Sequence, residues 1–233
     1  MEYIREHFQE ISSTNDYVKS KRAEGKNYIV TADCQSGGRG TKGRSFSSNE
    51  GGVYLTKLDH YTDFPAKNVF LIMANAAVSV CETLAFYGLK PVIKWANDIH
   101  LNGKKICGIL IENTFSGANI ASTVVGVGLN VFNALPTELD GIATTLERET
   151  GKRYSVAEVR ERLIENLGKN HGFSKYLEYI GYMGEEAELI FAEKTVTAKL
   201  LCVDETGGLW VEIAGEKRRV SAGEVSLRTG VKV

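Results

Sequence analysis

The densest concentration of chemistry-bearing residues is Gly37-Gly38-Arg39-Gly40-Thr41-Lys42-Gly43-Arg44-Ser45, with four glycines and three cations in nine positions. Glycine lets backbone approach a ligand closely, and successive amide N–H groups can cradle an anion. Arg39, Lys42 and Arg44 would add charge-assisted hydrogen bonds to a phosphate or carboxylate. The stretch therefore predicts an anion-binding loop, with a flexible basic surface loop as the bland alternative. Gly38, Gly40 and Gly43 satisfy G-x-G-x-x-G, with Asp63 suitably far onward, and Gly38 to Ser45 also reads as a Walker loop with arginine for lysine. Both need a helix to start at the last glycine, so that its N-terminus faces the phosphates. Here the chain runs from Phe46 through a turn-rich stretch to Gly52 and then into strand-like Val53 to Leu58, so neither fits. A kinase-type glycine loop does sit between strands, but no H-R-D or D-F-G follows.

Three further clusters carry polar chemistry. Ser13, Thr14 and Asn15 read either as the N-cap of a helix over 15–25 or as hydroxyls and an amide for a polar ligand. Lys94-Trp95-Ala96-Asn97-Asp98 ends a strand in a polar turn, and Asn102-Gly103 is the strongest short hairpin signal. The returning strand opens on Lys104 and Lys105, which in the usual case are simply solvated. Gly108, inside that strand, implies close approach by another backbone or a ligand. The strand after it ends Gly126-Val127-Gly128-Leu129-Asn130, again suited to a tight contact.

The positioning elements are legible by pattern. Residues 67–86 are apolar on nearly all sides, which predicts a buried core helix. Ser155-Val156-Ala157-Glu158 is a capping box starting a long helix, with Val156, Val159, Leu163 and Leu167 at helical spacing. Helix propensity then runs on, with a break near Gly168 to Gly172, to about Leu189. Residues 194–226 read as short strands with glycine turns, so the expected division is 1–187 and 188–233. At 233 residues the chain can bury a full core. A net charge of −1, with both signs spread, argues against DNA binding through a broad basic face. The four cysteines form no C-x-x-C and the four histidines are dispersed, so no metal ligands are assigned and a reduced cytoplasm suits the chain. Five charged or histidine positions in the first ten residues argue against a signal peptide, and the uncharged run 69–81 is too short to span a bilayer. No membrane association is expected.

In order, S-T-N, Q-x-G-G-R-G, K-W-x-N-D with G-K-K-x-x-G-I-L-x-E, and G-x-G-x-N cover residues 13 to 130. Together they resemble the biotin protein ligases, and Ser221 to Arg228 resembles that family's small C-terminal SH3-like barrel. The resemblance implies an α+β fold: a mostly antiparallel mixed sheet with helices on one side, of the class II synthetase-like biotin/lipoate ligase type. It implies a two-step reaction in which ATP and biotin form biotinyl-5′-adenylate and the acyl group then passes to a lysine of a biotin carboxyl carrier protein. Lys105 aligns with the catalytic lysine, and Arg39, Lys42 and Arg44 lie in the loop that orders over the intermediate. The biotin-binding set carried over is Ser13, Thr14, Asn15, Gln35, Gly38, Arg39, Gly40, Thr41, Lys105 and Gly108. The nucleotide-binding set is Arg44, Phe46, Asn97, Asp98, Lys105 and Asn130, with Mg2+ expected alongside ATP. The twelve residues before Ser13 are too few for the winged helix-turn-helix of some members, so the monofunctional form is expected, as a monomer or homodimer. Three positions depart from the pattern: Ala96 for proline, Phe46 for tryptophan and Thr41 for arginine. A lipoate or octanoyl transferase, and a biotin sensor without turnover, are the competing readings.

Overall fold

The computed structural model describes residues 2–223 and 225–229. Glu224, within the stretch read as barrel-like, and the side chain of Lys42, counted among the loop cations, lie outside the described residues. Seven strands form the main sheet: β1 (Ile4–Ile11), β2 (Tyr28–Gln35), β3 (Gly52–His60), β4 (Val92–Lys94), β5 (Asp98–Leu101), β6 (Lys104–Ser116) and β7 (Asn119–Asn130). Their order is β1-β2-β3-β7-β6-β5-β4, and β1 with β2 is the parallel pair. A mixed, mostly antiparallel sheet is what the resemblance implies, and the hairpin signal agrees with it. Asn102 and Gly103 both take positive φ, 50° and 77°, the backbone that a two-residue hairpin turn requires.

Side-chain alternation along the strands assigns the two faces. Ile29, Val53, Val125, Val127 and Leu129 pack on one side with α2 (Val69–Phe86), which is flanked by α4 (Val156–Leu167) and α5 (Gly172–Tyr179). Tyr28, Val30, Leu58 and Val124 point the other way and pack against Val18 of α1 (Thr14–Ser20). The expectation of helices on one side is therefore corrected: α1 covers part of the opposite face. Residues 66–86 form a 21-residue apolar span, long enough by composition to cross a membrane. The run counted in the sequence stopped short because the polar Glu82 interrupts it without ending the helix. Its most apolar window is 61% buried, against the sheet and the flanking helices.

Two other helix expectations shift. The helix after Ser13 begins at Thr14 and ends at Ser20, because the Ser13 hydroxyl accepts the Asp16 N–H and a tighter turn over Arg22–Glu24 takes the chain to Gly25 at φ 65°. Helix does not continue to Leu189. Residues 186–190 form β8 (Glu186–Ile190), where Ala187 and Leu189 are buried and their neighbours are not. A period of two on a half-buried surface overrides the helix propensity of Glu, Ala and Leu. The short α3 (Leu146–Thr150), capped by Thr145, goes unanticipated. With β9 (Thr195–Val203), β10 (Leu209–Ile213), β11 (Glu216–Val220) and β12 (Ser226–Arg228), β8 makes a five-stranded antiparallel sheet ordered β11-β10-β9-β8-β12. Its apolar side joins the main core, and the Trp95 indole donates to the Gly207 carbonyl at 3.0 Å.

Candidate functional site

One cleft on the α1 face gathers the polar motifs. It is lined by Ser13, Thr14 and Asn15 from the start of α1, Gln35 at the end of β2, and Arg39, Gly40, Thr41 and Phe46 from the glycine loop. Asn97, Asp98, Lys105 and Gly108 come from the β4–β5 turn and its hairpin, and Gly126 and Gly128 from β7. Leu55, Ile109, Leu110 and Val127 supply apolar wall. Of the residues assigned from sequence, Gly38, Arg44 and Asn130 do not line it.

The α1 end is a closed polar network. Gln35 Oε1 accepts from the Thr14 amide at 2.8 Å and from its hydroxyl at 3.0 Å, while Gln35 Nε2 donates to Ser48 at 2.9 Å. The buried Thr56 hydroxyl lies 2.8 Å from the Thr14 hydroxyl and 2.5 Å from Asn15 Oδ1. Ser13 is thus a cap, and Thr14 and Asn15 are held in fixed rotamers. Thr56 and Ser48 are missed by sequence reasoning, since a hydroxyl inside an apolar strand, or one serine among several in a turn-rich loop, carries no local signal.

The opposite end is electrostatic. Lys105 Nζ stands 2.7 Å from Asp98 Oδ1, with the two side chains 35% and 23% exposed. The Asn97 amide donates to the Ile109 carbonyl at 2.8 Å, and the Ile109 N–H returns to Asn97 O at 3.1 Å, which pins the turn to β6. Lys94, opposite Asp98 across the ladder, is the cation that sequence reasoning left without a role. Burial lowers its pKa, and although Asp98 opposes this, Lys105, Arg44 and Arg228 push it further down. Between the ends lies a flat floor. Gly108 and Gly128 pair across β6 and β7, and a Cβ on Gly128 would lie 2.5 Å from the Phe46 ring. No side chain fits there while Phe46 holds its place.

The glycine loop does not offer a bare cradle of amides. Gly37 N–H donates to Ser12 O at 2.7 Å, Gly40 N–H to Arg44 O at 2.6 Å, and Phe46 N–H to Gly38 O at 2.9 Å. These bonds fold the loop into a small hairpin, which carries the Arg39 and Arg44 side chains. Arg39 binds Asp16 through Nε at 2.8 Å. Arg44 donates to the Thr41 hydroxyl at 3.1 Å and to the Thr41 carbonyl at 3.3 Å. Asn130 is buried and its amide group is fully engaged, donating to Thr144 O and accepting from Asn133, each at 3.1 Å. Among the described residues no group of three His, Cys, Asp or Glu side chains converges on a common point.

A cleft with fixed polar groups at one end, apolar walls and a cation–carboxylate pair at the other suits a ligand with a polar head, an apolar body and an anionic tail. Comparison with known proteins places the chain in a family. Residues 7–130 match the model of the biotin/lipoate A/B protein ligase family. The bifunctional ligase/repressor BirA of Bacillus spizizenii is 30% identical over 213 residues, which cover 85% of this chain and 66% of that protein. The chain therefore spans about two thirds of the length of such curated relatives. The biotin–[acetyl-CoA-carboxylase] ligase of Paracoccus denitrificans is 33% identical over 117 residues, 45% of each chain. Among solved structures, the biotin protein ligase of Aquifex aeolicus in complex with biotin and ATP aligns with a TM-score of 0.76 at 32% identity, covering 97% of this chain and 98% of the other.

Proposed function

The chain belongs to the biotin/lipoate A/B protein ligase family, and we propose that within it the protein attaches biotin to a lysine of a biotin carboxyl carrier domain, using ATP. The observation that carries this reading is the convergence in one cleft of the Thr14–Gln35 network, the Phe46-covered glycine floor and the Lys105–Asp98 pair. In the first step a carboxylate oxygen of biotin attacks the α-phosphorus of ATP and pyrophosphate leaves. In the second the carrier's lysine amine attacks the acyl carbon and AMP leaves.

Thr14, Asn15 and Gln35, with Ser13 beside them, present hydroxyl and amide groups to biotin's ureido head. Leu55, Ile109, Leu110 and Val127 enclose its apolar body, Gly40 and Gly108 allow backbone to lie close, and Gly38 makes room behind them for the Phe46 carbonyl and the Ser48 hydroxyl. The first step brings two anions together, so the site must offset charge gathering at the α-phosphate and carboxylate. Lys105 and Arg39 do this. Phe46, Asn97, Asp98 and Arg44 form the nucleotide end, and closure of the loop bearing Arg39, Thr41 and Arg44 keeps water from the adenylate. Asn130, engaged with Thr144 and Asn133, shapes the β7 end of that site from beneath. Mg2+ is a hard cation that takes oxygen ligands; Asp98 offers such oxygens beside the nucleotide end, and the ion's contribution would be to offset phosphate charge.

We assign residues before β8 to the catalytic domain and the five-stranded sheet to the family's SH3-like domain. The four free thiols and the need for ATP fit a cytoplasmic protein acting on a carboxylase carrier, with no DNA or membrane partner, alone or as a homodimer. The test is pyrophosphate exchange into ATP by the full chain with Mg2+. Exchange that requires biotin and is absent with lipoate supports the reading. Exchange with lipoate alone, or none with biotin, overturns it.

A further inference from the structure

Asp16 has no role in the reading above, yet it anchors the loop cation nearest the cleft. Its carboxylate Oδ2 accepts from both Nε and Nη2 of Arg39, at 2.8 and 2.7 Å. Asp16 itself sits in the first turn of α1, with its backbone N–H held by the Ser13 hydroxyl. Its other oxygen, Oδ1, lies 3.3 Å from Lys19 Nζ, and Lys19 in turn reaches Glu112 on β6 at 2.8 Å. Arg22 adds a bond from its guanidinium to the Glu112 carbonyl at 3.1 Å. A continuous chain of charged contacts thus ties the glycine loop, through α1, to the strand that carries Lys105.

The geometry of the guanidinium gives this chain a consequence. Arginine presents N–H groups on two edges of a rigid plane. The Nε–Nη2 edge faces Asp16, and Arg39 is nonetheless part of the cleft wall. The edge formed by Nη1 and the outer hydrogen of Nη2 is therefore the one turned to a ligand. The Arg39 and Asp16 side chains are 57% and 38% exposed, so the pair adds little to folding stability. Its worth lies in fixing an otherwise mobile five-donor group at the mouth of the cleft.

We propose that Asp16 is a positioning residue: through Arg39 it holds the glycine loop's guanidinium in register with the acyl-phosphate end of the intermediate and so sets how long the intermediate is retained. This rests on the ligase reading, so the experiment begins with biotin-dependent pyrophosphate exchange by the unaltered chain, whose absence overturns that reading and this one with it. Given exchange, Asp16→Asn and Asp16→Glu are compared for exchange rate and for biotinylation of a bystander protein. Asp16→Asn keeps size and polarity while removing the charge, and should leak intermediate about fivefold to tenfold faster, the effect of loosening one charge-assisted contact. Its melting temperature should stay close to that of the unaltered chain, and its exchange rate, to which Arg39 contributes, should fall less than that of Arg39→Ala. Asp16→Glu, which retains the carboxylate, should recover part of the retention, an outcome a merely structural role does not give. Arg39→Ala should leak as well, and adding Asp16→Asn to it should change nothing further. Unchanged leakage in Asp16→Asn, tighter retention, or full additivity with Arg39→Ala would each overturn the proposal.

Discussion

Replacing Lys105 by alanine is the most direct probe of the first chemical step. Lys105 Nζ contacts Asp98 at 2.7 Å, and both side chains keep some solvent. An ion pair of that exposure contributes at most ~1 kcal/mol to stability, so Lys105→Ala should remain folded. In the adenylation proposed above, the same ammonium would face charge that grows on the α-phosphate and carboxylate while the cleft excludes water. A preorganised donor in such a setting is worth about 2.7–4 kcal/mol of transition-state stabilisation, or roughly 10²–10³ in rate. Biotin binding alone should weaken far less, because the ureido head is read at the other end of the cleft. The assay is biotin-dependent pyrophosphate exchange, with biotin affinity measured separately by calorimetry and folding by circular dichroism. Asp98→Asn serves as the control: it removes the pair but keeps the ammonium, and should cost less than Lys105→Ala. Exchange within a few-fold of the unaltered chain in Lys105→Ala, with biotin still bound, would remove Lys105 from the chemistry.

Gly128→Ala places a methyl 2.5 Å from the Phe46 ring and must displace it. Overpacking of this kind costs about 1–3 kcal/mol, so the KM for ATP in the exchange assay should rise while that for biotin changes little; equal rises in both would place Phe46 elsewhere. His100 is buried, with its pKa held down to about 4 mainly by desolvation, whereas an unfolded histidine titrates near 6.5. The folded state resists the proton that the unfolded state takes up, so stability present above pH ~6.5 is lost as pH falls toward 4. Between pH 7 and 5 the loss should be roughly 2 kcal/mol by urea titration, and His100→Gln should flatten that slope; an unchanged slope assigns it to other groups. Arg44→Ala should raise bystander biotinylation about tenfold or more, the effect of losing a charged hydrogen bond of ~1.5–3 kcal/mol. A high signal in the unaltered chain, suppressed by Thr41→Arg, would instead show that threonine at 41 lets the intermediate escape.

Much of the cleft is legible because its chemistry requires residue types that a sheet protein otherwise avoids. Glycines at 108, 126 and 128 inside strands, and lysine at the start of β6, are anomalous locally, and local anomalies survive in a sequence. Which atom each glycine makes room for is not local. That Gly128 lies under Phe46 follows from the β6–β7 register and the return of the glycine loop, both set by contacts distant in sequence. The glycine loop shows the same limit from the other side. Its composition suggests a nest of amides, and only the fold shows that the hairpin closed by Gly40 and Arg44 engages some of them internally. Asn130 looks like a ligand group at a strand end, and only the fold brings Thr144 and Asn133 to it. Residues 186–190 read as helix by propensity because Glu, Ala and Leu dominate; the alternating burial that makes them a strand depends on a sheet formed by residues downstream.

The cations in and beside the cleft also share a physical logic that no single motif displays. Arg39 rests on Asp16, Lys105 on Asp98, and Arg44 on the oxygens of Thr41. Each is held by a partner on the protein, which limits both like-charge repulsion and the entropy lost when a ligand arrives. Lys94 shows what happens nearby when burial is not fully offset: Asp98 faces it, yet its charged form is still disfavoured. A substrate bearing phosphate and carboxylate can engage the outward edges of these groups without first recruiting them from solvent. The partners differ in kind, and the difference is consequential. A carboxylate partner competes with an incoming anion for the same cation, whereas a hydroxyl competes weakly. Arg44, seated on a threonine, is thus the loop cation most readily given up to a phosphate. Threonine at 41 is therefore not only a lost charge. On the proposed reading it would be a weak dock from which Arg44 could take over the contact that an arginine at that position would make.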